Sequence, residues 1–270
     1  MKKGLLAVVL FLALFLVVPP GSTASTFNNL VVFGDSLSDT GNVARFTDAG
    51  ANIWVETLAN SFGANLYGFA YGGATTGYDN PAIGSTVTGL QWQIETYMPS
   101  LVSISTDANL FTVWAGANDF LQGRDYVSAA FNIGTALDKL YAAGASDILV
   151  GNLPDMGLTP SMYNTSTQGL ASAWTLGFNT ALETVLSDFR TAHTNVNIYN
   201  LDAYGIFSNY LPTTQAWSDL FWVDGFHPSA SGHQLIFETA AAAVPEPTTI
   251  ALLGFGLLGI AGVSRKKSYS

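Results

Sequence analysis

Along residues 29–243, short apolar runs alternate with longer stretches in which apolar residues recur at helical spacing. The apolar runs predict strands at Leu30–Phe33, Leu66–Ala70, Leu110–Trp114, Ile148–Gly151 and Val196–Asn200. Between them, Ile53, Val55, Leu58, Ala59 and Phe62 predict a helix that Gly63 stops. Further helices are expected over Leu90–Met98, ending before Pro99, and over Val127–Ala143, punctuated by Gly144. The longest is expected over Gly169–Thr191, and Ser229–Ala243 closes the series. A strand followed by a helix, repeated about five times, predicts an α/β fold: a mainly parallel sheet covered on both faces. Strands buried on both faces read as continuous apolar runs, as Leu30–Phe33 and Leu110–Trp114 do. Ligands in such sheets bind beyond the carboxyl ends of the strands. Two long aperiodic loops are expected at 72–89 and 157–168, and loops of that length often border a binding site.

The ends of the chain follow other rules. Met1-Lys2-Lys3 precedes an apolar run from Gly4 to Val18, broken by Pro19-Pro20-Gly21 and followed by the small residues Ser22-Thr23-Ala24. That pattern reads as a secretory signal peptide over residues 1–24, cut by signal peptidase. At the other end, Val244-Pro245-Glu246-Pro247 precedes an apolar segment from Thr248 to Val263 and then Arg265-Lys266-Lys267. This resembles a PEP-CTERM sorting signal over residues 244–270, with a transmembrane segment and a basic tail. The resemblance implies export, transient anchoring in the inner membrane, and release to the cell surface or beyond by an exosortase. Residues 25–243 are then the folded domain.

Charge narrows the function. The domain keeps four of the nine basic residues and 18 of the 19 acids, a net charge of −14. Such a surface repels nucleic acid and anionic membranes. The absence of cysteine removes disulfides, thiolate metal sites and a cysteine nucleophile together. No Asp/Glu/His set has metal-ligand spacing and no glycine-rich loop precedes a Lys-Ser or Lys-Thr pair, so no metal and no cofactor are expected.

The first expected strand runs into Gly34-Asp35-Ser36-Leu37-Ser38-Asp39. A serine hydroxyl is a weak nucleophile until a base takes its proton, and the base is usually a histidine oriented by a carboxylate. Three histidines exist: His193, His227 and His233. His227 lies in Asp224-Gly225-Phe226-His227-Pro228, a turn that brings a carboxylate next to an imidazole. His193 and His233 read as surface or packing residues. Asp35 and Asp39 read as loop-tying groups, because an ordinary carboxylate is a poor base for an alcohol. Ser36 also suits a helix N-cap and Asp224 a turn. Trp92, Trp114, Trp174, Trp217, Phe221 and Trp222 could line an acyl pocket or fill the core, with Trp222 and Phe226 best placed beside the turn.

Four blocks in order carry a specific resemblance: Gly34-Asp35-Ser36-Leu37-Ser38, then Phe69-Ala70-Tyr71-Gly72-Gly73-Ala74-Thr75, then Gly116-Ala117-Asn118-Asp119, then Asp224-Gly225-Phe226-His227-Pro228. Together they resemble the GDSL (SGNH) esterase/lipase superfamily. Gly151-Asn152-Leu153-Pro154-Asp155 is similar to a segment of its lecithinase and thermolabile-haemolysin-like branch. The resemblance implies a flavodoxin-like three-layer α/β/α sandwich and a secreted serine ester hydrolase acting on lipid or carbohydrate esters. In it Ser36 attacks, His227 takes the proton and Asp224 holds His227. The oxyanion is held by the N–H groups of Ser36 and Gly72, preferred over Gly73, and by the Asn118 amide. Acyl transfer on the same triad, or a non-catalytic surface protein that keeps the fold, are the alternatives.

Overall fold

Why the chain folds as it does begins with β1 (Asn29–Gly34) and β3 (Asn109–Trp114), whose residues are buried throughout. In the computed structural model, which describes residues 27–101 and 108–244, they pair in parallel as the middle of a five-stranded sheet. The order is β2-β1-β3-β4-β5, with β2 at Asn65–Gly68, β4 at Asp147–Gly151 and β5 at Asn197–Leu201. Every neighbouring pair is parallel. Asparagines fix the register at the amino edge. Asn29 lies opposite both Asn65 and Asn109, donating to Asn109 at 2.7 Å and accepting from Asn65 at 3.1 Å.

The helices are α1 (Trp54–Phe62), α2 (Leu90–Leu101), α3 (Ala117–Leu121), α4 (Tyr126–Ala142), α5 (Gln168–Ala192), α6 (Ala203–Ser208), α7 (Gln215–Ser218) and α8 (Ala230–Ala243). Parallel crossovers are right-handed. The step from β1 to β2 runs one way along the sheet and the later steps run the other way, so α1 falls on one face and α2, α4 and α5 on the opposite face. α8 packs against α1, while α4 packs against both α2 and α5. The result is the flavodoxin-like α/β/α sandwich that the pattern and the resemblance together predict. Trp54 of α1 meets Trp114 of β3 edge-on at 5.8 Å in the core.

Two boundaries differ from expectation. α2 runs through Pro99 to Leu101. A proline this near a helix end removes one backbone bond, and the buried Met98 and Leu101 hold the last turn to the core. β2 ends at Gly68, two residues early, yet Phe69 and Tyr71 still donate their N–H groups to Val32 and Gly34. The chain therefore stays beside β1 and carries the glycine block to the Ser36 loop. The helices α3, α6 and α7 are too short to show a period in the sequence. The expected signal peptide and the sorting segment beyond residue 244 lie outside the described residues. Among the described residues no helix is long and apolar enough to cross a membrane.

Candidate active site

The serine loop is locked from both sides. At Gly34 a Cβ would stand 2.2 Å from the Trp114 carbonyl oxygen, so only glycine lets β1 leave the sheet here. The Gln93 amide of α2 clamps the same residue: its Oε1 accepts from Gly34 N at 2.9 Å and its Nε2 donates to Gly34 O at 2.8 Å. Past that point the two acids tie the loop. Asp35 Oδ1 accepts from Leu37 N at 3.0 Å. Asp39 accepts from four backbone N–H groups: Gly41 and Asn42 on Oδ1, Val43 and Gly72 on Oδ2. Both carboxyls are fully buried. Burial pushes Asp35 up to about 7, against the bond from Leu37, and the charges of Asp119 and Asp39 add to the rise.

His227 arrives from the segment before α8. Gly225 takes φ +67°, which closes the turn, and Trp222 N donates to the His227 carbonyl at 2.8 Å. Asp224 Oδ1 accepts from the N–H groups of Phe226 and His227. Its Oδ2 lies 2.5 Å from His227 Nδ1. Burial raises the Asp224 carboxyl, but the bonds from the His227 ring and from these two N–H groups outweigh it and hold the group below the ordinary carboxylate range. An ionised carboxylate only accepts, so Nδ1 carries the proton and Nε2 is left as an acceptor. Ser36 Oγ stands 2.8 Å from Nε2 and donates to it, across 191 positions of sequence. Ser36, His227 and Asp224 are thus brought together in one hydrogen-bonded line.

The second block behaves differently from expectation. The Gly72 N–H, expected to face an oxyanion, is buried and donates to Asp39 Oδ2 at 2.7 Å. It is spent on holding the loop. A Cβ at Gly72 would also fall 2.3 Å from the Phe46 ring, so the residue is glycine for packing. The neighbouring Gly73 has φ +84°, and its N–H makes no hydrogen bond among the described residues. Asn118, the second residue of α3, points its amide inward. Nδ2 donates to the Ala74 carbonyl at 3.1 Å and to Asp35 Oδ2 at 3.3 Å.

Sequence reasoning missed Phe46, which stacks on the His227 ring at 4.7 Å, and the Gln93 clamp. Phe46 sits in an aperiodic loop, and Gln93 reads as one polar position of an amphipathic helix. Of the proposed pocket aromatics, Trp114, Trp174 and Trp217 are buried core. Trp222 and Phe226 flank the imidazole at 6.5 and 5.4 Å. Among the described residues no group of three His, Asp or Glu side chains is arranged to hold a metal.

His233 is buried, so of the two expected roles it takes packing and not the surface. Its Nδ1 accepts from Trp54 N at 3.4 Å and its Nε2 has no partner. Burial pushes it down to about 4, the nearby Phe46 backbone opposing and the His227 charge assisting. The unfolded chain therefore binds a proton that the fold refuses between pH 6.5 and about 4, and this contribution to stability is lost as the pH falls through that window. Asp35, raised on folding, works in the opposite direction. The expected result is that His233→Leu removes an acid-dependent destabilisation of about 3 kcal/mol. Denaturant melts of parent and variant at pH 7 and pH 4 measure it, and parallel pH dependence in the two would exclude it.

Residues 30–240 match the family model described as GDSL-like Lipase/Acylhydrolase, and residues 243–266 match the PEP-CTERM protein-sorting motif. The chain is 30% identical over 188 residues to a phosphatidylcholine-sterol acyltransferase of Aeromonas hydrophila, covering 60% of this chain and 54% of that protein. It is 33% identical over 159 residues to a thermolabile hemolysin of Vibrio parahaemolyticus, covering 52% of this chain and 37% of that one. The chain thus spans about half, or less, of the length of these relatives. The fold is that of a lipolytic G-D-S-L family protein from Veillonella parvula, at TM-score 0.54 and 18% identity, covering 79% and 96% of the two chains. The family match takes in every strand and the whole serine–histidine–aspartate line, and the chain belongs to the GDSL-like lipase/acylhydrolase family.

Proposed function

We propose that this chain is an exported serine ester hydrolase that works through an acyl-serine intermediate. The observation that carries the reading is the line from Ser36 Oγ through His227 to Asp224, at 2.8 and 2.5 Å. As Oγ bonds to the ester carbonyl carbon, its proton passes to Nε2, and the positive imidazolium is stabilised by Asp224. The tetrahedral oxyanion is held by the N–H groups of Ser36 and Gly73, which make no hydrogen bond among the described residues, and by the Asn118 amide once it gives up a bond to Ala74 or Asp35. Collapse breaks the bond to the alcohol oxygen, which takes the proton from Nε2. Water then repeats the sequence on the acyl-serine, and the acid leaves.

Incubation with a p-nitrophenyl phosphonate tests the nucleophile. The expected result is one stoichiometric adduct on the peptide containing Ser36, with loss of esterase activity. Labelling elsewhere, or none, would defeat the reading. A second reading, acyl transfer to an alcohol, is favoured by the acyltransferase relative. It shares every step up to the acyl-serine, and product analysis with an added alcohol separates the two.

The PEP-CTERM motif indicates sorting to the cell surface by the exosortase route. We further propose that residues 1–24 are removed as a signal peptide, that 25–243 is the working domain, and that 244–270 anchors the chain in the inner membrane until it is cleaved.

A further inference from the structure

The apolar residues left in water are not scattered. Every exposed large apolar side chain among the described residues lies on a segment that follows the carboxyl end of a strand, or in the first turns of the next helix. Val43 follows β1, Ile83 follows β2, Phe131 follows β3, Leu170 follows β4, and Leu211 and Val223 follow β5. Phe131, Leu211 and Val223 are 66, 74 and 88% exposed. The described connections at the opposite edge, 63–64, 143–146 and 193–196, expose none. Among the described residues the exposed large apolar side chains thus gather toward the edge that holds Ser36 and His227, and a gathering of this kind marks an interaction surface.

Charge identifies the partner. The domain has four cationic side chains against 18 acids, and each cation already has an acidic neighbour: Arg45 with Glu56, Arg124 with Asp79, Lys139 with Glu95 and Arg190 with Glu183. None is left to draw in an anionic headgroup, and the excess acid repels one. An apolar rim without free cations suits a surface that has no net charge of its own. We propose that this face docks on a zwitterionic lipid surface, seating the serine–histidine edge against it. The docking stands on the distribution of side chains. That the docked enzyme then draws lipid esters from the surface rests on the ester hydrolase reading.

The chain contains no cysteine, so single cysteines can report which edge meets the lipid. Phe131→Cys, Leu211→Cys and, as the opposite-edge control, Asn195→Cys are made in the full chain carrying Ser36→Ala. Each is labelled with a polarity-sensitive fluorophore and titrated with phosphatidylcholine or phosphatidylglycerol vesicles. The expected result is a blue shift at positions 131 and 211 with phosphatidylcholine, a smaller one with phosphatidylglycerol, and none at 195. Equal shifts at all three positions, no shift at 131 and 211, or a larger response to phosphatidylglycerol would overturn the proposal. So would a shift without vesicles that grows with protein concentration, which would assign the face to a second copy. Because Ser36→Ala is inactive on the reading above, probe shifts without any parental esterase activity would leave docking intact and remove the hydrolase. In the active chain, Phe131→Ser with Leu211→Ser is expected to lower turnover of vesicle-borne ester about tenfold and leave a dissolved short-chain ester unaffected. Equal loss on both substrates, or loss on neither, would overturn the docking role.

Discussion

Replacing Ser36 with alanine is expected to lower kcat on a short p-nitrophenyl ester by about 10⁶-fold while leaving the fold intact. The size follows from what the hydroxyl does. Without Oγ there is no atom to bond to the carbonyl carbon, and His227 Nε2 loses the group it accepts from at 2.8 Å. Only substrate binding and the oxyanion donors then remain. The fold should not suffer, because the loop is held by other groups. Asp35 accepts from Leu37, Asp39 accepts from four backbone N–H groups, and Gln93 clamps Gly34. None of these bonds uses the serine side chain. Steady-state kinetics on purified parent and variant, with a thermal melt of each, make the measurement. A variant within tenfold of the parent would rule out Ser36 as the nucleophile, whichever acceptor takes the acyl group.

The loop chemistry also explains which parts of the molecule could be read from the sequence. β1 and β3 are buried on both faces, so their apolar runs carried the signal directly. His227 was legible because the chain has only three histidines and this one shares a glycine–proline turn with Asp224, and Ser36 because its Gly34-Asp35-Ser36-Leu37-Ser38 block follows the first strand. The exact oxyanion glycine was not legible. Gly72 and Gly73 are adjacent and chemically identical, and what separates them is a bond from one N–H to Asp39, made across 33 positions. Phe46 was hidden for a related reason. Its contact with His227 is purely spatial, and nothing in the spacing of Ala44-Arg45-Phe46-Thr47 points to a ring 181 positions away. His233 read as either a packing or a surface residue of the last helix, and its spacing alone did not choose. Its burial depends on α8 packing against α1, which only the sheet order determines.

Changing Asp224 to asparagine is expected to lower kcat about 10⁴-fold with little change in the fold. The carboxylate does more than hold a ring in place. Because it only accepts, it fixes the proton on His227 Nδ1 and leaves Nε2 free to take the proton of Ser36. An asparagine at 224 keeps an oxygen for the Phe226 and His227 N–H groups, so the turn survives. Its amide nitrogen, however, now faces Nδ1 and donates to it. The imidazole must then carry its proton on Nε2, where it opposes the serine hydroxyl instead of accepting from it. No second carboxylate among the described residues bonds to the His227 ring to restore the tautomer. Asp35 and Asp39 are committed to backbone N–H groups of the serine loop. The loss should therefore appear in kcat, with KM for a dissolved ester nearly unchanged, and the stacked Phe46 ring should still cover the imidazole. A fall of less than tenfold in kcat would mean that Asp224 acts as a turn former alone, and that the proton on Nδ1 is governed by some other group.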